Sequence, residues 1–155
     1  MLETTWYELL PHRLVLETFR VNSCDESFVL KRLDRTLYWE GRALDIPEGT
    51  DAPALHFLVV YPEAFPAIPP EVEIVSPDLS PDEWGHEWHR WMNGDVCYVR
   101  PSKWQVSTTA EEVIKKVSDW YFNYVAKKNG LIAKMPDYGR AELPPRTIGP
   151  GGKDA

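Results

Sequence analysis

The chain has 155 residues, 24 acidic against 17 basic, for a formal net charge of −7. That length predicts one domain with one real core. The composition, 43% hydrophobic and 26% charged, is that of a globular chain rather than a disordered one. The acidic balance speaks against a protein built to grip nucleic-acid phosphates.

No apolar run approaches the roughly 18 residues that a membrane helix needs; the strongest, 57–61, is strand-sized. The N-terminus lacks the basic start and apolar core of a secretory signal, so no membrane association and a cytoplasmic location are expected. Cys24 and Cys97 make no Cys-x-x-Cys pair, which predicts reduced thiols rather than a disulfide framework. Seven Trp and fourteen Pro predict large aromatic surfaces to bury or present, on a chain that is often stopped and stiffened.

In chain order, residues 3–19 read as an opening helix interrupted by Pro11, with Thr5 and Glu8 spaced as a capping box. Leu14, Leu16 and Phe19 suit a helix or a strand. From residue 28 the period shortens. Segments 28–33, 37–43, 55–61 and 71–75 read as four strands. Between them lie Asp34-Arg35, Pro47-Glu48-Gly49 and the proline-rich stretch 62–70, all breaker material. Links this short favour an antiparallel meander, since parallel pairing needs long crossovers.

Residues 76–106 have no clean period. They carry Trp84, Trp88, Trp91 and Trp104 among prolines and glycines. A long irregular segment in a compact domain is uncommon unless it is functional, and this much aromatic weight predicts that it packs down. Trp84, Trp88 and Trp91 suit either a partner-docking surface or packing of the segment on the sheet. The clearest helix follows, with Thr108 and Glu111 read as a capping box. Its stripe is Val113, Ile114, Val117, Trp120, Tyr121, Tyr124 and Val125, and Asn129-Gly130 is its stop. The chain divides into a domain over 1–130 and a Pro/Gly-rich extension over 131–155. The last dozen residues of the extension, including Gly151-Gly152, are expected to be flexible.

Cys97 is the main candidate for chemistry. It lies in Gly94-Asp95-Val96-Cys97-Tyr98, just ahead of the strong helix. A thiol on a loop held by a rigid scaffold can act as a nucleophile, while a free cysteine is also a common small buried hydrophobe. An adjacent Asp95 would disfavour the thiolate if close. His86, His89 and Cys97 match part of a zinc ligand set but lack a fourth ligand, and a zinc deaminase would need Pro-Cys-x-x-Cys, so no metal is expected. There is no Gly-x-x-x-x-Gly-Lys-Ser/Thr, no Gly-x-Gly-x-x-Gly and no Gly-x-Ser-x-Gly. No cofactor is therefore expected, and the chain does not activate a carboxylate with ATP by itself.

Taken in order, these pieces resemble the ubiquitin-conjugating enzyme family over most of residues 5–128. Tyr61-Pro62, Phe65-Pro66 and Pro69-Pro70 leading into Glu71-Val72-Glu73-Ile74 resemble the family's Tyr-Pro and x-x-x-Pro-Pro-x-Val block. Gly94-x-Val96-Cys97 resembles its Gly-x-Ile-Cys, Trp104 stands near its tryptophan, and Trp39-Glu40-Gly41 fits its opening strands. The stretch from His86 to Asn93 carries no His-Pro-Asn, unlike eukaryotic members. In this it is similar to the prokaryotic branch found in antiphage operons with cyclic-oligonucleotide signalling.

The resemblance implies an α+β fold: an N-terminal helix, a four-stranded antiparallel meander, an active-site loop and a C-terminal helix. It implies that Cys97 accepts the C-terminus of a ubiquitin-like protein or a bacterial nucleotidyltransferase as a thioester. An ATP-dependent activating enzyme would supply that acyl group, and a target lysine would receive it. It implies supporting roles for His89 or Asn93 in place of the missing motif, and for Asp95 beside the incoming lysine. An inactive binding module of the same fold is the alternative.

Overall fold

The computed structural model describes residues 4–80 and 82–143. It has two helices, a four-stranded sheet, an irregular segment with two 3-10 turns, and a long last helix. Helix α1 spans Trp6–Leu9 and α2 spans Pro11–Cys24. The Thr5–Glu8 capping box forms, and Pro11 opens α2 at a position that needs no amide hydrogen. The helical reading therefore extends to Cys24, beyond residue 19, and Leu14, Leu16 and Phe19 are helical.

The strands are β1 (Val29–Leu33), β2 (Thr36–Ala43), β3 (Leu55–Val60) and β4 (Glu71–Ser76). They pair antiparallel in the order β1-β2-β3-β4, the meander expected from the short links. The inner face follows the two-residue period: Leu37 and Trp39 on β2, Leu55, Phe57 and Val59 on β3, and Val72 on β4 are buried. Gly41 continues that face. A Cβ there would stand 2.5 Å from the Phe28 ring, so the close approach of that ring requires glycine.

Helix α3 spans Ala110–Lys128, and every member of the expected apolar stripe is buried. Its cap differs by one residue from the sequence reading. Thr109, not Thr108, is the N-cap, and Glu112, not Glu111, accepts its N–H at 2.9 Å. The cause lies on α2. Arg13 donates to the carbonyls of Val106 (2.5 Å) and Thr108 (2.7 Å), and the buried Glu17 accepts the Ala110 N–H at 2.8 Å. Glu17 also accepts from the Tyr61 hydroxyl, which in turn accepts the Trp39 indole N–H. This network fixes the start of α3 against α2 and the sheet.

No helix among the described residues is long and apolar enough to cross a membrane. The expectation of a flexible last dozen residues concerns 144–155, which lie outside the described residues.

Candidate active site around Cys97

The irregular segment is pinned at both ends. Val96, buried in the core, donates its N–H to the Val72 carbonyl at 3.0 Å, so the outer edge of β4 receives the chain just before Cys97. Gly85 and Arg90 exchange backbone hydrogen bonds at 2.9 and 3.1 Å. The Arg90 guanidinium ties the interior together through the carbonyls of Gly94 (3.0 Å) and Glu83 (2.6 Å).

The aromatic residues divide. Trp88 packs down: its ring lies tilted 5.4 Å from the Tyr124 ring and beneath the Lys127 ammonium, and its carbonyl accepts from the Trp120 indole at 2.9 Å. Trp104 donates to the Pro66 carbonyl at 2.8 Å. Trp84 and Trp91 remain exposed.

His89 follows the 3-10 turn His86–Trp88 in the left-handed conformation, φ +47°. That conformation is costly for a residue with a Cβ. It turns the His89 carbonyl to accept the Cys97 N–H at 2.8 Å. The half-buried Cys97 thiol has the Val99 carbonyl 3.8 Å away. Burial pushes the thiol above its ordinary pKa, offset in part by the Val99 backbone and the Arg100 charge. Asp95 plays no part in that shift.

Two cavities of about 50 and 340 Å³ meet at Cys97, and both also have His89, Lys116 and Asp137 in their walls. Asp137 comes from the chain after α3. That chain turns at Gly130 (φ +72°) and runs back along the helix as a strap. The strap's own Met135 is buried, and the Asn123 side chain of α3 donates to the Gly139 carbonyl (2.9 Å) and accepts the Ala141 N–H (2.8 Å). Arg140 joins Asp119 and Asp45, both at 2.6 Å. Asp137 then lies 3.9 Å from His89 Nε2 and 3.6 Å from Arg100.

Comparison with protein-family models, with curated proteins and with solved structures finds no match.

The structure brings His89 to the Cys97 cavities. It does not bring Asn93 or Asp95 there. Both line a separate cavity of about 280 Å³ against Glu71 and Val72. The turn at Gly94 (φ +93°) directs them toward each other: Asn93 donates to Asp95 at 3.2 Å, and its side-chain oxygen accepts the Asp95 N–H at 3.0 Å. Burial, then the Glu73 and Glu71 charges, push the Asp95 carboxyl up to about 6. Their side chains pair with each other on the β4 side, and Asp95 adjoins the larger cavity through its carbonyl, which accepts the N–H of the cavity residue Trp91 at 2.8 Å.

His86 lines the larger cavity with its ring centroid 5.7 Å from that of His89. Among the described residues no three His, Cys, Asp or Glu side chains gather as a metal site. Asp137, Arg100 and Lys116 escaped the sequence reading. Lys116, Trp120 and Asn123 are spaced as one helical face, which is the one local signal that the far side of α3 holds more than solvent.

Proposed function

We propose that the protein is a cysteine acyl carrier of the ubiquitin-conjugating type, working on a protein C-terminus in the bacterial cytoplasm as part of antiphage defence. The single observation that carries the chemistry is the half-buried Cys97 thiol, which shares the walls of two adjoining cavities with His89 and the strap residue Asp137.

The reaction has two displacements. The Cys97 thiol loses its proton and attacks the carbonyl of a donor thioester. The donor's C–S bond breaks, and the departing thiolate takes up a proton. A lysine amine then attacks the Cys97 thioester. The new C–N bond forms as the bond to Cys97 Sγ breaks, and the thiolate is reprotonated while the amine loses a proton. His89 carries that proton, with Asp137 within ion-pair reach of the imidazolium.

The raised thiol pKa suits a carrier. Acyl exchange runs toward the more basic sulfur because the less basic thiolate leaves more readily. The protonated resting thiol is also guarded against oxidation. An antiparallel meander flanked by helices, with the cysteine loop seated on the edge of β4, is compatible with the resembled fold.

The test is to express the tagged protein with its genomic neighbours and compare gels with and without reductant. A covalent adduct removed by thiol and missing from Cys97→Ala supports the carrier. No adduct, with the activating partner shown to be active, leaves the binding module of the same fold.

A further inference from the structure

The larger cavity beside Cys97 has a composition unlike the rest of the chain. The protein carries a net charge of −7, yet this cavity is lined by Arg90, Arg100 and Lys116 against one acid, Asp137. The Arg90 guanidinium is engaged by backbone carbonyls, and Arg100 shares Asp137 with His89. Lys116 has no ion-pair partner among the described residues. Beside His86 and His89, the remaining wall is mainly apolar, with Trp91, Met92, Tyr98, Val99, Pro101 and Tyr138. Met92 is 84% exposed at the mouth. A largely apolar recess with one unpaired cation, Lys116, and an excess of basic over acidic side chains selects an occupant that is both bulky and anionic.

We infer that this cavity receives the acyl chain carried on Cys97, and that it selects a C-terminal sequence with a large apolar residue and then an acidic residue just before the terminal residue whose carbonyl is linked. The inference rests on the acyl-carrier reading and names its substrate class. At about 340 Å³ the recess lies at the small end of ligand pockets, enough for two or three residues. The acidic side chain meets Lys116 and Arg100, and the apolar side chain lies against Trp91 and Tyr98. A basic residue at the same place would face like charge.

The test uses the full chain and three short acetylated peptides as N-acetylcysteamine thioesters, ending Leu-Glu-Gly, Leu-Lys-Gly and Ser-Glu-Gly. In each reaction the bond from the peptide carbonyl to the N-acetylcysteamine sulfur breaks as the bond to Cys97 Sγ forms, and the proton lost by the Cys97 thiol is balanced by the one the released N-acetylcysteamine takes up. Peptide mapping by mass spectrometry follows acylation at Cys97. Cys24, exposed at the end of α2, serves as the internal reference for intrinsic peptide reactivity.

Relative to Cys24, Cys97 is expected to prefer Leu-Glu-Gly over Leu-Lys-Gly by about fivefold, the size of one or two partly exposed charge pairs. Leu-Glu-Gly is expected to exceed Ser-Glu-Gly as well. In Lys116→Glu the preference for the acidic peptide falls to about one or inverts. Equal or faster acylation by Leu-Lys-Gly at Cys97, or a preference that Lys116→Glu leaves intact, overturns the substrate class while the carrier stands. No acylation of Cys97 by any of the three overturns the carrier reading and the substrate class with it.

Discussion

Asp137 Oδ1 lies 3.9 Å from His89 Nε2, while its other oxygen lies 3.6 Å from Arg100. One carboxylate on the strap thus reaches both the His89 ring and the Arg100 guanidinium. If the pair handles the amine proton, Asp137→Asn slows aminolysis of a preformed Cys97 thioester by about tenfold, at the low end of acid–base effects. Loading of Cys97 by a thioester is not slowed, since that step has no amine proton to accept and the change frees Arg100 for an acidic acyl chain. Single-turnover measurement of the two steps separates this from simple displacement of the strap, which slows both.

The strap is itself held by packing. Met135 is 2% exposed and lines the smaller cavity with Cys97. Met135→Ala removes its side chain from a filled site and is expected to cost about 2–4 kcal/mol of local or global stability. Iodoacetamide then labels Cys97 faster than in the wild type, while labelling of the distant Cys24 is unchanged. Unaltered labelling of Cys97 would show that the strap does not screen the thiol.

The Asp95 carboxyl, pushed up to about 6 by burial and by Glu73 and Glu71, gives a pH dependence of definite sign. Its unfolded value is near 3.9. The folded state disfavours the charged form, so a penalty is missing below about pH 4 and grows as the pH rises through 6. Asp95→Asn, which keeps the bond to Asn93, is expected to stabilise the protein at pH 7.5 by roughly 1–2 kcal/mol, with the gain vanishing near pH 4. Urea unfolding at the two pH values checks it.

Glu17 is fully buried, with Arg13, Tyr61 and the Ala110 N–H around its carboxylate. Glu17→Ala leaves those groups without their partner and is expected to cost about 3–5 kcal/mol. Glu17→Gln keeps an acceptor oxygen and costs less. Chemical denaturation of the two variants gives the order, and equal losses would contradict the hydrogen-bonding role.

Much of this architecture is legible in the sequence because it is local. The α3 stripe and the alternation on β2 and β3 follow from periods that each segment carries by itself. The cap of α3 is displaced from Thr108 to Thr109 because Arg13 and Glu17, distant in sequence, claim the backbone there. Cys97 stands out by its place in an ordered series of motifs. Asn93 and Asp95 are near it in sequence, but the Gly94 turn sends them elsewhere. Asp137 is far from it in sequence, in a stretch without period, and only the strap held by Asn123, Arg140 and Met135 brings it to the thiol. Neighbourhood in a loop is a poor guide to neighbourhood in a site, because a single positive-φ residue can redirect the chain.

The bond at position 97 decides the account. Wild type and Cys97→Ser, each expressed with the genomic neighbours, are purified, and their adducts are mapped by tandem mass spectrometry. The acyl carrier predicts a thiol-labile adduct on Cys97 in the wild type. In the variant it predicts a reductant-resistant oxygen ester on the substituted hydroxyl, both carrying the same protein C-terminus. An adduct that persists unchanged when Cys97 is replaced by alanine, or one that maps to Cys24, contradicts it.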